Sequence, residues 1–332
     1  MMSERKIAVI GGGSWATAIV KILCNNLSTV NWWMRNENAV NHILKYRHNP
    51  KYLQSVEFDL NKIQVSTDLV ETIKNSDIII IATPSAFLVN TFEDFPAELF
   101  HNKIVFSAVK GIVPEYNAIP ARFIHKSFGT PYCKIGIICG PCHAEEVALE
   151  RLSYLTIACQ EEKIADEMAE LLSCRYIKTT TSDDLFGTEL SAVLKNVYSI
   201  ASGICAGLGY GDNFQAVLIS CAIQEIEDFI DVVSPIHRDV KSSAYLGDLL
   251  VTAYSKFSRN RTFGFMIGKG YSVKSAQLEM DMIAEGYYAV KSVIEMKKKF
   301  EVEMPIVEAV YNILYEKISP VIEMRILTEK LN

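Results

Sequence analysis

The sequence contains no uninterrupted apolar run long enough to form a good membrane span. Its best candidate, residues 190–208, carries Lys195 and Asn196 near the middle. A lysine at the centre of a bilayer costs about 2.5 to 3.5 kcal/mol on insertion scales. The chain also opens with MMSERKIAVI, which enters a predicted strand almost at once and lacks a secretory signal. We therefore expect a cytoplasmic protein with no integral membrane segment.

The sequence also lacks an excess of basic residues. Its 33 Lys and Arg residues stand against 39 Asp and Glu residues, a net charge of −6. Nucleic-acid-binding surfaces need clustered positive charge, so this balance argues against a nucleic-acid partner. We find no internal repeat and no low-complexity segment. The 332 residues are enough for two globular domains.

Cysteines are few and scattered, with eight along the chain. They do not form a disulfide framework, and reduced thiols fit a reducing compartment. Cys139-Gly140-Pro141-Cys142 nevertheless has the spacing of a thioredoxin-type redox motif, and Cys139, Cys142 and His143 are possible zinc ligands. No second cysteine pair completes a zinc site, so we expect no metal. A redox role is a minor alternative, because a thioredoxin fold lacks a preceding dinucleotide fingerprint.

A glycine-rich turn stands close to the start of the chain. The short apolar strand KIAVI runs into Gly11-Gly12-Gly13-Ser14-Trp15-Ala16, which matches G-x-G-x-x-G/A. The first glycine turns the chain, the second lets the backbone approach a pyrophosphate, and the small third residue lets helix and strand pack closely. A predicted helix over residues 17–27 follows, and its N-terminus would face the phosphates. The context predicts a dinucleotide site at this turn.

Strand and helix patterns alternate through the first half of the chain. Six strands are predicted, at residues 7–10, 30–34, 78–82, 104–108, 135–139 and 154–158. Several are continuous apolar runs, as expected for strands covered on both faces. The pattern predicts an α/β fold that begins with a Rossmann domain, a doubly wound parallel sheet, over residues 1–182. The strand pattern then stops, so we expect an all-helical domain over residues 183–332.

One lysine interrupts an otherwise apolar helix in the second half of the chain. Residues 187–208, GTELSAVLKNVYSIASGICAGL, favour a helix that is buried on most sides, and Lys195 is the only charged residue after Leu190. A buried ammonium must be paired or must lose its proton more readily than in water, and such groups tend to mark chemistry. The alternatives are a lysine that reaches the surface and a structural ion pair.

Other polar residues stand where a ligand would be expected. Lys110 follows a predicted strand and either lines a ligand crevice or lies at the surface. Residues 258–260, Ser-Arg-Asn, offer groups suited to a phosphate or form a polar turn. Asp248 either orients Lys195 or caps a helix. Gly286 predicts the end of a helix at that point.

The residues after the second predicted strand bear on the choice of nicotinamide. An NAD-selective site usually has Asp or Glu there for the ribose hydroxyls, whereas this sequence has Met34-Arg35-Asn36. Arg35 can stack on adenine or meet a 2′-phosphate, or it is a solvated loop residue. The sequence is therefore compatible with NAD or NADP.

Taken together, the motifs resemble the bacterial-type NAD(P)-dependent glycerol-3-phosphate dehydrogenases over essentially the whole chain. The markers follow one another at plausible spacings: residues 11–18, Lys110-Gly111, Gly140-Pro141 with Ala144 and Glu146-Val147, Gly187-x-Glu189, Leu194-Lys195-Asn196-Val197, Gly207-Leu208 with Gly211-x-Asn213, Gly247-Asp248-Leu249 with Thr252, and Ser258-Arg259-Asn260. The resemblance implies reversible hydride transfer between NAD(P)H and dihydroxyacetone phosphate, a small phosphorylated three-carbon substrate. The product would be sn-glycerol 3-phosphate for glycerophospholipid synthesis, and the expected assembly is a homodimer.

The resemblance also implies roles for individual residues. Lys195 would be the catalytic proton acceptor in the oxidation direction. Substrate contacts would come from Lys110, Gly140, Cys142, Lys195, Asp248, Ser258, Arg259 and Asn260. Cofactor contacts would come from Gly11, Gly13, Ser14, Trp15, Arg35, Lys110, Ala144, Arg259 and Glu285.

Two residues depart from the family pattern. Ala16 stands where glycine is usual, and the fingerprint permits alanine there. Cys142 stands where a small hydrogen-bonding residue is common. Because a thiol donates weakly, its contact with substrate stays open.

Two other functions remain open. A related hydroxy-acid or ketoacid reductase would share the architecture, but Lys195-Asn196 together with Ser258-Arg259-Asn260 favours a phosphorylated substrate. A cofactor-binding protein that has lost catalysis would be expected to lose its catalytic lysine. This sequence keeps Lys110, Lys195, Asp248 and Arg259.

Overall fold

The computed structural model describes residues 5–280 and 284–331. The strands within these ranges are β1 (Ile7–Ile10), β2 (Val30–Trp33), β3 (Ile63–Ser66), β4 (Ile78–Ile81), β5 (Ile104–Ser107), β6 (Ile135–Cys139), β7 (Ser153–Cys159) and β8 (Ile177–Ser182). The α-helices are α1 (Ser14–Leu23), α2 (Glu37–Tyr46), α3 (Leu69–Lys74), α4 (Leu88–Thr91), α5 (Pro120–Phe128), α6 (Ala144–Ala148), α7 (Glu162–Leu172), α8 (Leu185–Leu208), α9 (Asp212–Val233), α10 (Asp248–Tyr254), α11 (Arg259–Gly268), α12 (Val273–Glu279), α13 (Glu285–Phe300), α14 (Pro305–Leu314) and α15 (Pro320–Thr328).

The chain divides into two compact units. The first comprises the described residues up to Val109 together with Ile119–Leu185, and the second comprises Lys110–Ala118 together with the described residues from Phe186 onward. The segment Lys110–Ala118 joins the second unit through a short 3₁₀ helix, Pro114–Tyr116, that packs on α13. Lys110 therefore belongs to the same unit as Lys195.

A single sheet of eight strands forms the centre of the first unit, in the order β3-β2-β1-β4-β5-β6-β7-β8. This sheet confirms the predicted Rossmann-type fold, and all six predicted strands are present with ends within one residue. The sheet is mostly parallel, except that β7 runs antiparallel to β6. The two strands are joined by a short segment whose only helix is the five-residue α6, too little for a parallel crossover.

Two strands of the sheet were not predicted from the sequence. β3 and β8 lie at the two edges of the sheet, and in each only the first residue is buried, while the rest are exposed or half-buried. Their sequences, IQVS and IKTTTS, are polar at alternate or successive positions and do not form apolar runs. In contrast, every residue of the central strands β1, β4 and β5 is buried, which is why those strands were recognisable.

The second unit is helical, as predicted, and is organised around the 24-residue helix α8. On α8, Gly207 lies against Gly268 of α11, and Gly203 lies against the backbone of Arg261 and Phe265 of the same helix. A Cβ atom on Gly264 would lie 2.1 Å from the carbonyl oxygen of Ile200, so the two backbones are in direct contact. This contact fixes the separation of α8 and α11. Within the described residues, no helix is long and apolar enough to cross a membrane.

A buried carboxyl group connects three helices of the second unit. Glu225 on α9 accepts a hydrogen bond from the backbone N–H of Ile306 at the start of α14 (2.7 Å) and another from the Tyr198 hydroxyl on α8 (3.2 Å). Burial raises the pKa of Glu225 to about 8, although its hydrogen bonds act in the opposite direction. Folding therefore favours the protonated form of this group.

This raised pKa makes stability depend on pH. The unfolded chain releases the Glu225 proton near its ordinary pKa of 4.5, whereas the folded protein keeps it until pH reaches about 8. The contribution of Glu225 to stability is therefore complete below pH 4.5 and is lost as pH rises toward 8. Glu225→Gln cannot ionise, so its free energy of unfolding, measured in urea from pH 5 to 8, should lack this decline.

Asp228→Asn is the matched control, since it removes one exposed negative charge from the same helix. The control should keep the decline seen in the wild-type protein. Parallel pH profiles for the wild-type protein and Glu225→Gln would show that Glu225 titrates alike in the folded and unfolded chains.

Candidate active site

The turn between β1 and α1 requires glycine at its first position. Gly11 has a φ of +146°, and a Cβ atom there would lie 2.8 Å from the carbonyl oxygen of Ala82. At Gly13 no atom of the described residues lies within 4 Å of the corresponding Cβ position. α1 begins immediately afterwards at Ser14, three residues earlier than predicted. Backbone N–H groups of the first helical turn and open space beside Gly13 suit a phosphate group.

Two side chains that sequence reasoning missed hold this turn in place. Asn49 donates from Nδ2 to the carbonyl oxygen of Gly12 (3.1 Å) and to the Thr17 hydroxyl oxygen (2.9 Å). Trp32 donates from Nε1 to the carbonyl oxygen of Gly11 (2.7 Å). Asn49 lies in a loop 37 residues from Gly12, and no local pattern in the sequence marks it.

The other predicted residues of the first unit lie after strands whose carboxyl ends share one edge of the sheet. Arg35 is exposed just beyond β2, and its guanidinium carbon lies 5.9 Å from the centre of the Phe87 ring. Beyond β6, Gly140 has a φ of +110° and Cys142 is buried. Ala144 begins α6. Because β1, β2 and β6 run in the same direction, these residues and the glycine turn all lie at the carboxyl ends of the sheet's parallel strands.

Cys139, the last residue of β6, and Cys142, three residues further on, are not joined by a disulfide bond. Cys139 and Cys142 are both buried thiols, and Cys139 donates from Sγ to the carbonyl oxygen of Thr156 (3.5 Å). Across residues 5–280 and 284–331, no three His, Cys, Asp or Glu side chains are grouped so as to hold a metal ion. The zinc alternative therefore has no structural support.

In the second unit, Lys195 forms a buried ion pair with Asp248. Lys195 Nζ contacts Asp248 Oδ1, and the two side chains are 3% and 2% exposed. The alternative in which Lys195 reaches the surface is therefore wrong. Asp248 is the first residue of α10. A turn of π-helix, Ser243–Gly247, leads directly into it. Such turns often occur at functional sites.

A buried ion pair is a poor source of stability. Removing each charged group from water costs several kcal/mol, and the attraction between the two charges often does no more than offset this. The pair therefore favours a chemical role for Lys195 over a purely structural one.

Two side-chain amides connect four segments that carry predicted site residues. Asn196 donates to the carbonyl oxygen of Lys110 (2.6 Å), and Asn260 donates to Asn196 Oδ1 (2.9 Å). Asn260 Oδ1 in turn accepts from the backbone N–H of Gly286 (2.9 Å). This chain of hydrogen bonds includes the main chain of Lys110. Its other members, Asn196, Asn260 and Gly286, are the sequence neighbours of Lys195, Arg259 and Glu285.

The prediction that a helix ends at Gly286 is wrong, because α13 begins at Glu285. A Cβ atom on Gly286 would lie 2.6 Å from the carbonyl oxygen of Asn196. Glycine is therefore required here by the close approach of α13 to α8, and it does not cap a helix. Glu285 is half-buried in the first turn of α13, where a carboxylate is favourable.

The segment 258–260 starts a helix and is not the polar turn considered above. Ser258 caps α11 by accepting from the backbone N–H of Arg261 (3.3 Å). Arg259 is exposed at the first position of the helix, and Asn260 is buried. A guanidinium group beside a helix N-terminus suits a phosphate ligand.

A parallel-sheet unit with a dinucleotide-binding turn, followed by a helical unit with a buried lysine–aspartate pair, defines a two-domain nicotinamide-dependent dehydrogenase. Family models agree at both ends of the chain. The model described as the NAD-dependent glycerol-3-phosphate dehydrogenase N-terminus matches residues 6–165, and the model of the C-terminus matches residues 184–324. The chain therefore belongs to the NAD-dependent glycerol-3-phosphate dehydrogenase family.

Individual relatives agree with this assignment. The chain is 34% identical over 315 residues to a glycerol-3-phosphate dehydrogenase [NAD(P)+] of Staphylococcus aureus, covering 95% of each chain. It is 32% identical over 314 residues to the protein of the same name from Staphylococcus carnosus, covering 94% of each chain. Among solved structures, the glycerol-3-phosphate dehydrogenase of Coxiella burnetii superposes with a TM-score of 0.90 at 26% identity, covering 98% of this chain and 99% of the other.

Proposed function

We propose that this protein is an NAD(P)-dependent sn-glycerol-3-phosphate dehydrogenase. It would interconvert dihydroxyacetone phosphate and sn-glycerol 3-phosphate, and so supply backbones for glycerophospholipids. The observation that carries the proposal is the buried Lys195–Asp248 pair in a chain whose two halves both match the family models. We further propose that the enzyme acts as a homodimer in the cytoplasm.

The residues of the first unit fit a dinucleotide. Gly11 turns the chain against the Ala82 carbonyl group, Gly13 leaves space beside the start of α1, and the N–H groups of Ser14 and Trp15 belong to the first turn of that helix. Arg35 offers a flat cation for adenine or for a 2′-phosphate. Further cofactor contacts are proposed for Lys110, Ala144, Arg259 and Glu285. When bound, the nicotinamide ring supplies or accepts the hydride at the substrate carbon.

Lys195 is the proposed proton donor and acceptor of the reaction. In the reduction direction its ammonium group stabilises the negative charge that develops on the ketone oxygen and then donates a proton to that oxygen. In the oxidation direction the neutral amine accepts the hydroxyl proton. Asp248 keeps the ammonium group oriented, and its buried negative charge favours return of a proton to Lys195 after each reduction.

The phosphate group of the substrate would be bound by the start of α11. Arg259 provides a guanidinium group, Asn260 provides an amide, and Ser258 caps the helix. Lys110, held by Asn196 through its main chain, adds a second cation. Contacts from Gly140 and Cys142 complete the proposed set of substrate-binding residues.

The proposed reaction is tested by following absorbance at 340 nm with dihydroxyacetone phosphate and either NADH or NADPH. Oxidation of one or both cofactors that depends on the ketone phosphate is expected, and the ratio of the two rates gives the cofactor preference. Cofactor binding without turnover would indicate another substrate or a non-catalytic protein.

Lys195→Ala should lower kcat by a factor of about 10² to 10⁴, because the positioned proton donor is removed. Its affinity for NADH, measured by fluorescence titration, should stay close to that of the wild-type protein, since the dinucleotide-binding turn belongs to the first unit. Circular dichroism checks that the variant is folded. Near-normal turnover in a folded variant would refute the role of Lys195.

Arg259→Ala should lower kcat/KM for dihydroxyacetone phosphate by a factor of about 10 to 10², the loss expected for a charge-assisted hydrogen bond. For dihydroxyacetone, which has no phosphate, the loss should be much smaller. Steady-state kinetics with both substrates measures the difference. Equal losses would mean that Arg259 does not contact the phosphate.

A further inference from the structure

A buried serine that has no role in the chemistry above lies one helical turn beyond Lys195. Ser199 is on α8, is fully buried, and belongs to none of the residue sets considered so far. Its Oγ lies 2.7 Å from the carbonyl oxygen of Thr252 on α10 and 2.8 Å from Ser258 Oγ at the start of α11. A single hydroxyl group therefore connects the helix of Lys195 with the helices of Asp248 and Arg259.

The direction of these hydrogen bonds follows from counting protons. A serine hydroxyl has one proton to donate, and a carbonyl oxygen can only accept. Ser199 must therefore donate to the carbonyl oxygen of Thr252, which leaves the Ser258 hydroxyl as the donor in the bond between the two serines. The Ser258 oxygen in turn accepts from the backbone N–H of Arg261. Both functions of the Ser258 hydroxyl are then used within the protein.

We propose that Ser199 is a positioning residue for phosphate recognition. Ser199 accepts the hydrogen bond that the Ser258 hydroxyl group donates. This orients the Ser258 oxygen so that one of its lone pairs faces the backbone N–H of Arg261 in the first turn of α11. This fixes the helix start that presents Arg259 and Asn260. In this arrangement Ser258 does not donate to the substrate, and it contributes by holding the helix that does. The inference rests on the proposed function in that it assigns the phosphate to the start of α11.

Ser202 provides a matched control three residues further along α8. It is equally buried, and its Oγ lies 3.0 Å from the carbonyl oxygen of Ala253, the residue after Thr252. Its second contact is Gln215 Oε1 on α9 (2.9 Å), away from Ser258. Ser199→Ala and Ser202→Ala each remove a buried hydroxyl group that lies within hydrogen-bonding distance of a carbonyl oxygen on α10. They differ in that only Ser199 is bonded to Ser258.

The test compares steady-state kinetics of Ser199→Ala and Ser202→Ala with dihydroxyacetone phosphate and with dihydroxyacetone. In Ser199→Ala we expect the KM for the phosphorylated substrate to rise about three- to tenfold, the effect of one neutral hydrogen bond, with kcat nearly unchanged. Kinetics with dihydroxyacetone should be unaffected. Ser202→Ala should lower the melting temperature about as much as Ser199→Ala does. Its kinetics with both substrates should stay unchanged.

A double-mutant cycle tests the bond between the two serines. If Ser199 acts through Ser258, the variant Ser199→Ala/Ser258→Ala should lose no more affinity for the phosphorylated substrate than Ser258→Ala alone. Independent, multiplicative losses would overturn the proposal. A lower KM in Ser199→Ala would also overturn it, because it would mean that the released Ser258 hydroxyl donates to the phosphate.

Failure of this proposal can be separated from failure of the proposed function. Calorimetric titration with inorganic phosphate measures affinity in the same variants without any turnover. If the wild-type protein reduces dihydroxyacetone phosphate and Ser199→Ala behaves like Ser202→Ala in every assay, the enzyme assignment holds and the role of Ser199 falls. If the wild-type protein has no turnover but Ser199→Ala alone weakens phosphate binding, the role of Ser199 holds and the proposed reaction falls.

Discussion

The buried ion pair between Lys195 and Asp248 is the constraint on which the helical unit depends. A lysine ammonium that is 3% exposed can persist only beside a carboxylate, and Asp248 is 53 residues away in the chain. The fold therefore has to bring the middle of α8 to the start of α10 and exclude water from both. The long apolar helix α8 and the π-helical turn before α10 meet that requirement. Because such a pair contributes little stability of its own, its presence is best explained by the proton transfer proposed for Lys195.

The same constraint accounts for the polar groups and glycines around α8. Once α8 is buried on most sides, its neighbours can be positioned only by close backbone contact or by fully satisfied hydrogen bonds. Gly203 and Gly207 provide the first toward α11, and Asn196 and Ser199 provide the second toward Lys110, Asn260 and Ser258. The residues proposed to bind the phosphate are therefore held by the helix that carries the proposed proton donor. In the first unit the constraint is different, because the turn after β1 has to leave space for the phosphates of the proposed cofactor beside Gly13.

Much of this architecture is predictable from the sequence because its signals are local. The apolar central strands, the glycine turn after β1, and a lone lysine in an apolar helix can each be recognised within about 20 residues. The family resemblance adds residue roles that no local pattern gives. What the sequence does not reveal depends on distant contacts. β3 and β8 are polar edge strands, Gly286 is required by a contact with α8, and Asn49 acts on a turn 37 residues away. From the sequence, Asp248 could either orient Lys195 or cap a helix, and only the tertiary structure separates these two interpretations.

The most direct test of the central claim measures turnover and the free energy of unfolding together in the double variant Lys195→Met/Asp248→Leu, with Asp248→Asn as its single-site counterpart. Asp248→Asn leaves a buried ammonium without its carboxylate and should lose about 3 to 5 kcal/mol of stability along with turnover. The double variant removes both charges, so its stability should return to about the wild-type value or above, while turnover stays absent. A double variant that still reduces dihydroxyacetone phosphate at a near-normal rate, or one that is as unstable as Asp248→Asn, would contradict the account of a pair kept for chemistry at the expense of stability.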